Sequence, residues 1–159
     1  KLAKQGIDII EIRRGGGATA HNPGQLVFYP ILDLKPLRLG ISDYIRELES
    51  IGIELLAALA VESRRKKGYP GLWTGEKKIA SIGVRVSRFV THHGMAINIC
   101  NDLKIFNNMI PCGIDEVLMT SAAKELNTHV PIAKARDILI KILIQHFSSE
   151  GLFEYEKLT

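Results

Sequence analysis

The chain has 159 residues, of which 46% are hydrophobic and 24% are charged. This is the composition of an ordinary globular domain, so it excludes a disordered tail, a collagen and a coiled coil. The length predicts a single domain over residues 1–159. Basic residues exceed acidic residues by only 21 − 17 = 4, so nothing demands a nucleic-acid partner. No apolar run reaches the roughly 18 residues needed to span a membrane.

The two cysteines, Cys100 and Cys112, are too few for a disulfide framework, and no CxxC motif occurs. This usage predicts a reducing, cytoplasmic location. The histidines have no acidic or cysteine companions at ligand spacing, so no metal site is predicted. No signal peptide is visible, and the lack of a starting methionine suggests a fragment.

The first predicted elements are two strands separated by a glycine-rich break. Near-alternation of apolar and polar residues over Ile7–Ile12 predicts a strand, and the glycines at 15–17 end it. The apolar stretch Gln25–Leu34 predicts a second strand. Pro30 should place that strand at a sheet edge or a bulge.

A helix and a hairpin follow. Ser42 is predicted to cap a helix that runs to about Glu62, and the cations at 64–67 suit the C-terminal end of its dipole. Strands over Leu72–Thr74 and Ile79–Val86 are predicted to flank a hairpin turn at Gly75-Glu76.

The remaining elements complete an α+β pattern. Met95–Ile99 predicts a further strand, and residues 101–119 look irregular. A short helix is predicted over Ser121–Leu126, and Pro131 can begin a last helix that ends near Phe147. Because strands and helices are segregated rather than alternating, the predicted fold class is α+β.

A glycine-rich segment, residues 14–25, is the densest local signal. It contains a degenerate G-x-G-x-x-A at Gly15, Gly17 and Ala20, but a dinucleotide site needs a helix directly after the glycines. Pro23-Gly24 and a strand follow instead, which excludes that interpretation. A plain loop and a loop whose backbone approaches a ligand closely both remain open on composition alone.

Cys112 and Lys78 are the candidate chemical groups. Cys112 lies between Pro111 and Gly113, where a glycine-flanked loop can keep a nucleophile exposed. A nearby lysine ammonium would stabilise its thiolate, and Lys78 opens a predicted strand. Spacing alone does not bring the two together, so a buried inert cysteine and a solvated lysine remain alternatives.

Three ordered motifs give the chain a resemblance to a known family. The first is R-G-G-x-x-T-x-H-x-P-G-Q-L-V-x-Y-P over residues 14–30. The second is K-I-A-S-I-G-V-R over residues 78–85, which continues as T-H-H-G-M-A-I-N over residues 91–98. The third is P-C-G-I over residues 111–114. Over essentially the whole chain, the sequence resembles the lipoyl(octanoyl) transferases.

The resemblance implies a fold like the catalytic domains of biotin and lipoate ligases, with a mixed sheet packed against helices and the N-terminal elements missing. It implies ping-pong acyl transfer without ATP or any other cofactor. Cys112 would accept an octanoyl or lipoyl group from acyl carrier protein, and Lys78 would stabilise the thiolate. The acceptor would be a lysine on a lipoyl domain of a 2-oxoacid dehydrogenase or on the glycine cleavage H protein.

The resemblance also implies which residues line the acyl pocket and position the thioester. They are Arg14, Gly15, Gly16, Gly17, Ala18, Thr19, Ala20, His21, Tyr29, Ser81, Ile82, Gly83, His93, Gly94, Met95 and Ala96. The chain departs from the family at Ala20, where a larger residue is usual, and at Asn22, where glycine is common. These departures predict a wider pocket mouth or a different acyl preference.

Two alternatives remain beside the transferase. The triple glycine resembles the lipoate ligases, so one alternative is an ATP-dependent ligase of the lipoate or biotin type, which needs no cysteine. The other is an inactive fragment that binds a carrier protein. For the transferase, a group of cations is expected to steer acidic carrier proteins. They are Arg64, Arg65, Lys66, Lys67, Arg85 and Arg88.

Overall fold

The computed structural model describes residues 7–108 and 117–148. The strands are β1 Gln25–Phe28, β2 Arg64–Lys66, β3 Tyr69–Thr74, β4 Lys77–Ser87 and β5 Val90–Asn98. The α-helices are α1 Leu34–Leu37, α2 Ile41–Ala58, α3 Ala122–Leu126 and α4 Ile132–Ser148. A 3₁₀ helix covers Leu103–Asn108.

The strands form one sheet in the order β1-β5-β4-β3-β2, and every neighbouring pair is antiparallel. An isolated bridge between Lys78 and Met119 adds a parallel contact beside the start of β4. Two residues in the left-handed region, Arg88 (φ 50°) and Phe89 (φ 69°), form the tight turn between β4 and β5. The long β4–β5 ladder is the centre of the sheet, with β1 at one edge.

The hydrophobic core lies between the sheet and α2. Leu48, Ile51 and Leu55 are fully buried at the i, i+3 and i+7 spacing of one helix face. Gly52 brings this helix close to the sheet, because a Cβ there would lie 2.7 Å from Leu72 Cδ1. A side chain at this position would therefore push the helix off the strands.

Several predicted elements are confirmed. The β3–β4 hairpin turns at Gly75, whose φ of 55° favours glycine. Ser121 caps α3 by accepting a hydrogen bond from the Lys124 N–H, and the last helix runs over Ile132–Ser148. The predicted α+β class is confirmed, and in the described residues β1 is an edge strand, as Pro30 indicated.

The predicted strand over Ile7–Ile12 is wrong. These residues have no regular secondary structure, and Ile9 and Ile10 are 72% and 77% exposed. An alternating pattern forms a strand only where a neighbouring strand supplies hydrogen bonds and a core accepts the apolar side chains. Neither is present for this segment among the residues that the structure describes.

The predicted second strand is too long. β1 ends at Phe28, and Pro30, which has no N–H to donate to a ladder, follows two residues later. Asp33 then accepts a hydrogen bond from the Lys35 N–H and caps the short helix α1. Because Asp33 caps α1, Leu34 begins this helix and does not belong to the strand.

The helix boundaries around α2 also differ from the prediction. Gly40, not Ser42, is the N-cap, and Asp43 accepts a hydrogen bond from the Gly40 N–H at 3.2 Å. The helix ends at Ala58, and the cations predicted to lie at its end form β2 instead. Pairing with β3 decides this, because a tertiary partner overrides a local dipole preference.

Candidate active site

A cavity of about 220 Å³ lies where the glycine-rich loop meets β4 and β5. It is lined by Arg14, Gly16, Gly17, Thr19, His21, Tyr29, Gly68, Tyr69, Pro70, Lys78, Ser81, Ile82, Gly83, His93, Gly94, Met95 and Ala96. Most of the predicted pocket residues therefore lie together, although they come from three separate parts of the chain. Gly15, Ala18 and Ala20 are not among the lining residues, and Cys112 lies outside the described residues.

Small residues form the floor of the cavity. Ser81 pairs with Ala96 and Gly83 pairs with Gly94 across the β4–β5 ladder. Cross-strand partners and residues two apart share one face of a sheet, so these four residues lie side by side. The two glycines let other groups lie against this face, since a Cβ on Gly83 would meet Arg14 and a Cβ on Gly94 would meet Phe28 O.

Arg14 folds the glycine-rich loop over this floor. Its Nη1 donates hydrogen bonds to the carbonyls of Gly17 at 2.9 Å and Gly15 at 3.1 Å. A Cβ on Gly83 would lie 2.6 Å from Arg14 Cδ, so the arginine side chain crosses the strand where it is a glycine. The Gly15 N–H donates to Val84 O at 2.9 Å, which ties the loop to β4 without facing the cavity.

Lys78 is a buried cation. The residue is only 1% exposed, its Nζ donates to the carbonyl of Pro70 at 2.9 Å, and Nζ lies 5.4 Å from the centroid of the Trp73 ring. Within residues 7–108 and 117–148, no carboxylate forms an ion pair with it. The adjacent Lys77, by contrast, pairs with Glu125 at 2.5 Å. Lysines are almost never fully buried unless they are paired.

Gly71 provides the space that Lys78 occupies. Its φ is 111°, a value that side chains rarely permit, and a Cβ there would lie 3.1 Å from Lys78 Cε and 2.3 Å from Ala80 O. Its N–H donates to the buried carboxylate of Glu49 at 3.1 Å, which fixes the start of β3 against α2. Glycine is therefore needed at this position both for the backbone angle and for the passage of the lysine side chain.

The sequence prediction missed three cavity residues, Gly68, Tyr69 and Pro70. They belong to the turn and strand that follow β2, between the helix predicted to end at about Glu62 and the strand predicted from Leu72. Glycine and proline flanking Tyr69 were the available signal for a turn. No local pattern indicated that the Pro70 carbonyl would accept from Lys78.

A chain of side-chain hydrogen bonds runs from the glycine-rich loop into the sheet. His21 Nδ1 lies 2.7 Å from Gln25 Oε1, Gln25 Nε2 donates to Asn98 Oδ1 at 2.9 Å, and Asn98 Nδ2 donates to Thr120 O at 2.9 Å. Asn101 Nδ2 also donates to Asn98 Oδ1, at 3.1 Å. These hydrogen bonds connect the rim of the cavity to Thr120, whose N–H donates to the backbone carbonyl of Lys78 at 2.9 Å.

Most cations of the β2 region already have acidic partners. Arg64 and Lys66 both pair with Glu76 at 2.7 Å, and Arg65 pairs with Glu49 at 3.0 Å. These pairs reduce the charge that β2 offers to an acidic protein. Steering of carrier proteins by this group remains a prediction.

No cluster of three histidine, cysteine, aspartate or glutamate side chains suited to a metal ion occurs in the described parts of the chain. The described helices also include none that is long and apolar enough to cross a membrane.

Solved structures with the same architecture are protein ligases. A putative lipoate protein ligase from T. acidophilum with bound lipoic acid has a TM-score of 0.72 and 20% identity, covering 91% of this chain and 60% of that chain. The biotin protein ligase from Aquifex aeolicus has a TM-score of 0.60 and 18% identity, covering 77% of this chain and 52% of that chain. The chain thus has the fold of lipoate and biotin protein ligase catalytic domains, which confirms the predicted fold.

Residues 1–144 match the family described as lipoyl protein ligase A/B catalytic domain, and the chain belongs to this family. An octanoyltransferase of Desulfovibrio desulfuricans is 50% identical over 125 residues, which are 79% of this chain and 53% of that protein. An octanoyltransferase of Koribacter versatilis is 39% identical over 145 residues, which are 88% of this chain and 58% of that protein. The chain therefore spans a little over half the length of these curated relatives.

Proposed function

We propose that the chain carries the acyl-transfer centre of an octanoyltransferase. It moves an octanoyl group from acyl carrier protein to a lysine of a lipoyl domain through a thioester on Cys112, in the cytoplasm and without ATP. The names of relatives that are 39% to 50% identical over most of this chain support the proposal. The likeness to ligases rests on identities near 20% and supports the fold alone.

The buried ammonium of Lys78, which has no carboxylate partner among the described residues, is the observation that supports the mechanism. Burying a charge without a partner is costly, and an anion in contact with it removes that cost. A cysteine thiolate is such an anion, and Cys112 precedes Leu118 by 118 − 112 = 6 residues. The Leu118 carbonyl accepts from the Lys78 N–H at 2.8 Å, and six residues span at most about 20 Å. Cys112 is therefore close enough along the chain to reach Lys78, as the proposal requires.

Two linked displacements then account for the reaction. The Cys112 thiolate attacks the octanoyl thioester, the bond from the acyl carbon to the carrier sulfur breaks, and the Lys78 ammonium gives its proton to the departing sulfur. Lys78 is then neutral. The acceptor lysine is protonated in water (pKa about 10.4), so it must lose a proton before it attacks. Neutral Lys78 takes that proton, and the amine displaces Cys112. The second proton of the amine leaves to solvent.

The cavity suits a slender acyl chain. Its volume of about 220 Å³ is below the roughly 300–1,000 Å³ typical of pockets for drug-sized ligands. The small side chains of Ser81 and Ala96 on the floor leave room for methylene groups. Each buried methylene contributes about 0.8 kcal/mol, so the depth of the cavity can select chain length.

The direct test is intact-mass spectrometry after incubation with octanoyl-acyl carrier protein and no ATP. The wild-type chain is compared with Cys112→Ser and with Cys100→Ser, a matched control whose half-buried side chain packs against the core. We expect a hydroxylamine-labile octanoyl adduct on the wild type and on Cys100→Ser, and no adduct on Cys112→Ser.

Three results would contradict the proposal. Octanoate activation that appears only with ATP, with no adduct on any variant, would favour the ligase. No adduct and no ATP-dependent activation would favour a fragment that only binds a carrier protein. An adduct that survives in Cys112→Ser would place the nucleophile elsewhere.

A further inference from the structure

The hydrogen bonds that run from His21 through Gln25 and Asn98 to Thr120 can be oriented in only one way. They end on the Thr120 carbonyl, which can only accept a hydrogen bond, so the Asn98 group facing it must be the donating Nδ2. Asn98 Oδ1 then faces the other way and accepts from Gln25 Nε2. A second donor, Asn101 Nδ2, lies 3.1 Å from the same oxygen and supports this assignment.

The direction continues through Gln25 to the histidine. Because Gln25 Nε2 is used on Asn98, its Oε1 faces His21 Nδ1 at 2.7 Å. An amide oxygen has no hydrogen to give, so the hydrogen must sit on Nδ1. A neutral imidazole carries only one N–H, and Nε2 therefore holds a lone pair.

We infer that Gln25 and Asn98 are positioning residues, which hold His21 as the Nδ1–H tautomer so that Nε2 is a proton acceptor at the cavity. The use of that acceptor rests on the proposed acyl transfer, in which Nε2 receives the second proton of the attacking amine and passes it to solvent. His21 lines the cavity and Gln25 does not, so Gln25 acts only through the ring. Among the described residues, Nε2 has no hydrogen-bond partner that would occupy its lone pair.

The burial of Asn98 fixes the inner end of the arrangement, whereas the hydrogen bond between His21 and Gln25 is exposed. Asn98 is 1% exposed, so water cannot readily replace the partners of its amide. Gln25 and Asn98 are also register partners of the β1–β5 ladder, which holds their backbones together without the side-chain bond. The amide-to-amide bond is therefore additional to what the sheet requires, and it sets the orientation of Gln25.

Two substitutions separate positioning from a merely structural role. Gln25→Met and Gln25→Glu both remove the donor to Asn98, but only the carboxylate of Gln25→Glu keeps an acceptor for Nδ1–H. Gln145→Met on the exposed surface of α4 is the matched control. If Gln25 serves only the network, the Met and Glu variants behave alike.

The tautomer is measured by long-range ¹H–¹⁵N correlation spectra of the histidine rings at alkaline pH, where imidazoles are neutral. The His21 ring signals are assigned by comparison with His21→Gln, in whose spectrum they are absent. We expect the Nδ1–H form in the wild type, in Gln145→Met and in Gln25→Glu, and the appearance of the Nε2–H form in Gln25→Met. An Nε2–H ring in the wild type would overturn the inference.

The catalytic consequence is measured in the octanoyl-transfer assay. We expect kcat of Gln25→Met to fall about 10-fold or more with KM little changed, and Gln25→Glu to recover part of the loss. Equal kcat in Gln25→Met and the wild type would refute the positioning role. The spectra need no turnover, so failure of the proposed acyl transfer and failure of the tautomer assignment give different results.

Discussion

Replacing Gly71 by alanine tests whether the narrow passage beside Lys78 is built into the fold. The new Cβ would lie 2.3 Å from Ala80 O, a backbone atom of the neighbouring strand, and 3.1 Å from Lys78 Cε. The φ of 111° adds backbone strain of about 1–3 kcal/mol. Displacing the strand adds overpacking of about 1–3 kcal/mol. We expect Gly71→Ala to lose about 2–6 kcal/mol of unfolding free energy.

The size of this loss follows from the immobility of the surroundings. Ala80 lies in the central ladder of the sheet, and the Gly71 N–H is held by the buried carboxylate of Glu49. Neither group can move without breaking other hydrogen bonds. The Lys78 side chain can move, but only by leaving the Pro70 carbonyl that its Nζ contacts.

Urea denaturation monitored by circular dichroism measures the change, with Gly75→Ala as the matched control. Gly75 also has a positive φ, 55°, but a Cβ there would meet nothing within 4 Å. That control reports the cost of a positive φ in open space, about 1–2 kcal/mol. If Gly71→Ala were as stable as Gly75→Ala, the steric argument for the passage would be refuted.

Two further predictions concern charged groups. Lys78→Met should abolish the octanoyl adduct while Lys77→Met, which loses only the partly exposed pair with Glu125, keeps it; adduct formation by Lys78→Met would exclude the lysine from the mechanism. Burial alone would lower the pKa of His146, but its hydrogen bonds with Glu47 and Glu54 outweigh burial and raise that pKa above 6.5. Its stabilising contribution is therefore fully present below the unfolded pKa of about 6.5 and disappears as the pH rises through the folded pKa. We expect the difference in unfolding free energy between the wild type and His146→Gln to shrink over that rise, and a difference independent of pH would contradict the assignment.

The parts of the fold that were predicted correctly depend on local chemistry. Gly75 turns the β3–β4 hairpin and Ser121 caps α3 through contacts within a few residues. The strand predicted over Ile7–Ile12 is wrong, and the strand β2 that follows the helix predicted to end at about Glu62 was not predicted, because both outcomes depend on whether a distant strand pairs with the segment.

The candidate site divides in the same way. The family resemblance implied that the glycine-rich loop and the β4–β5 residues line one pocket, and most of them lie around one cavity. Gly68 to Pro70 could not be found, since their role depends on the Pro70 carbonyl meeting a lysine eight residues away. The pairing of Cys112 with Lys78 remains a prediction.

The family, the α+β class and the chemical types of the candidate groups followed from the sequence, because motif order and turn chemistry are encoded locally. The burial of Lys78 without a carboxylate among the described residues, and its close packing against Gly71, appear only once the chain is folded. The same is true of the orientation of the Gln25 and Asn98 side-chain amides, which orients the His21 ring. Burial, strand pairing and hydrogen-bond direction depend on residues far apart in the chain, so no local pattern contains them.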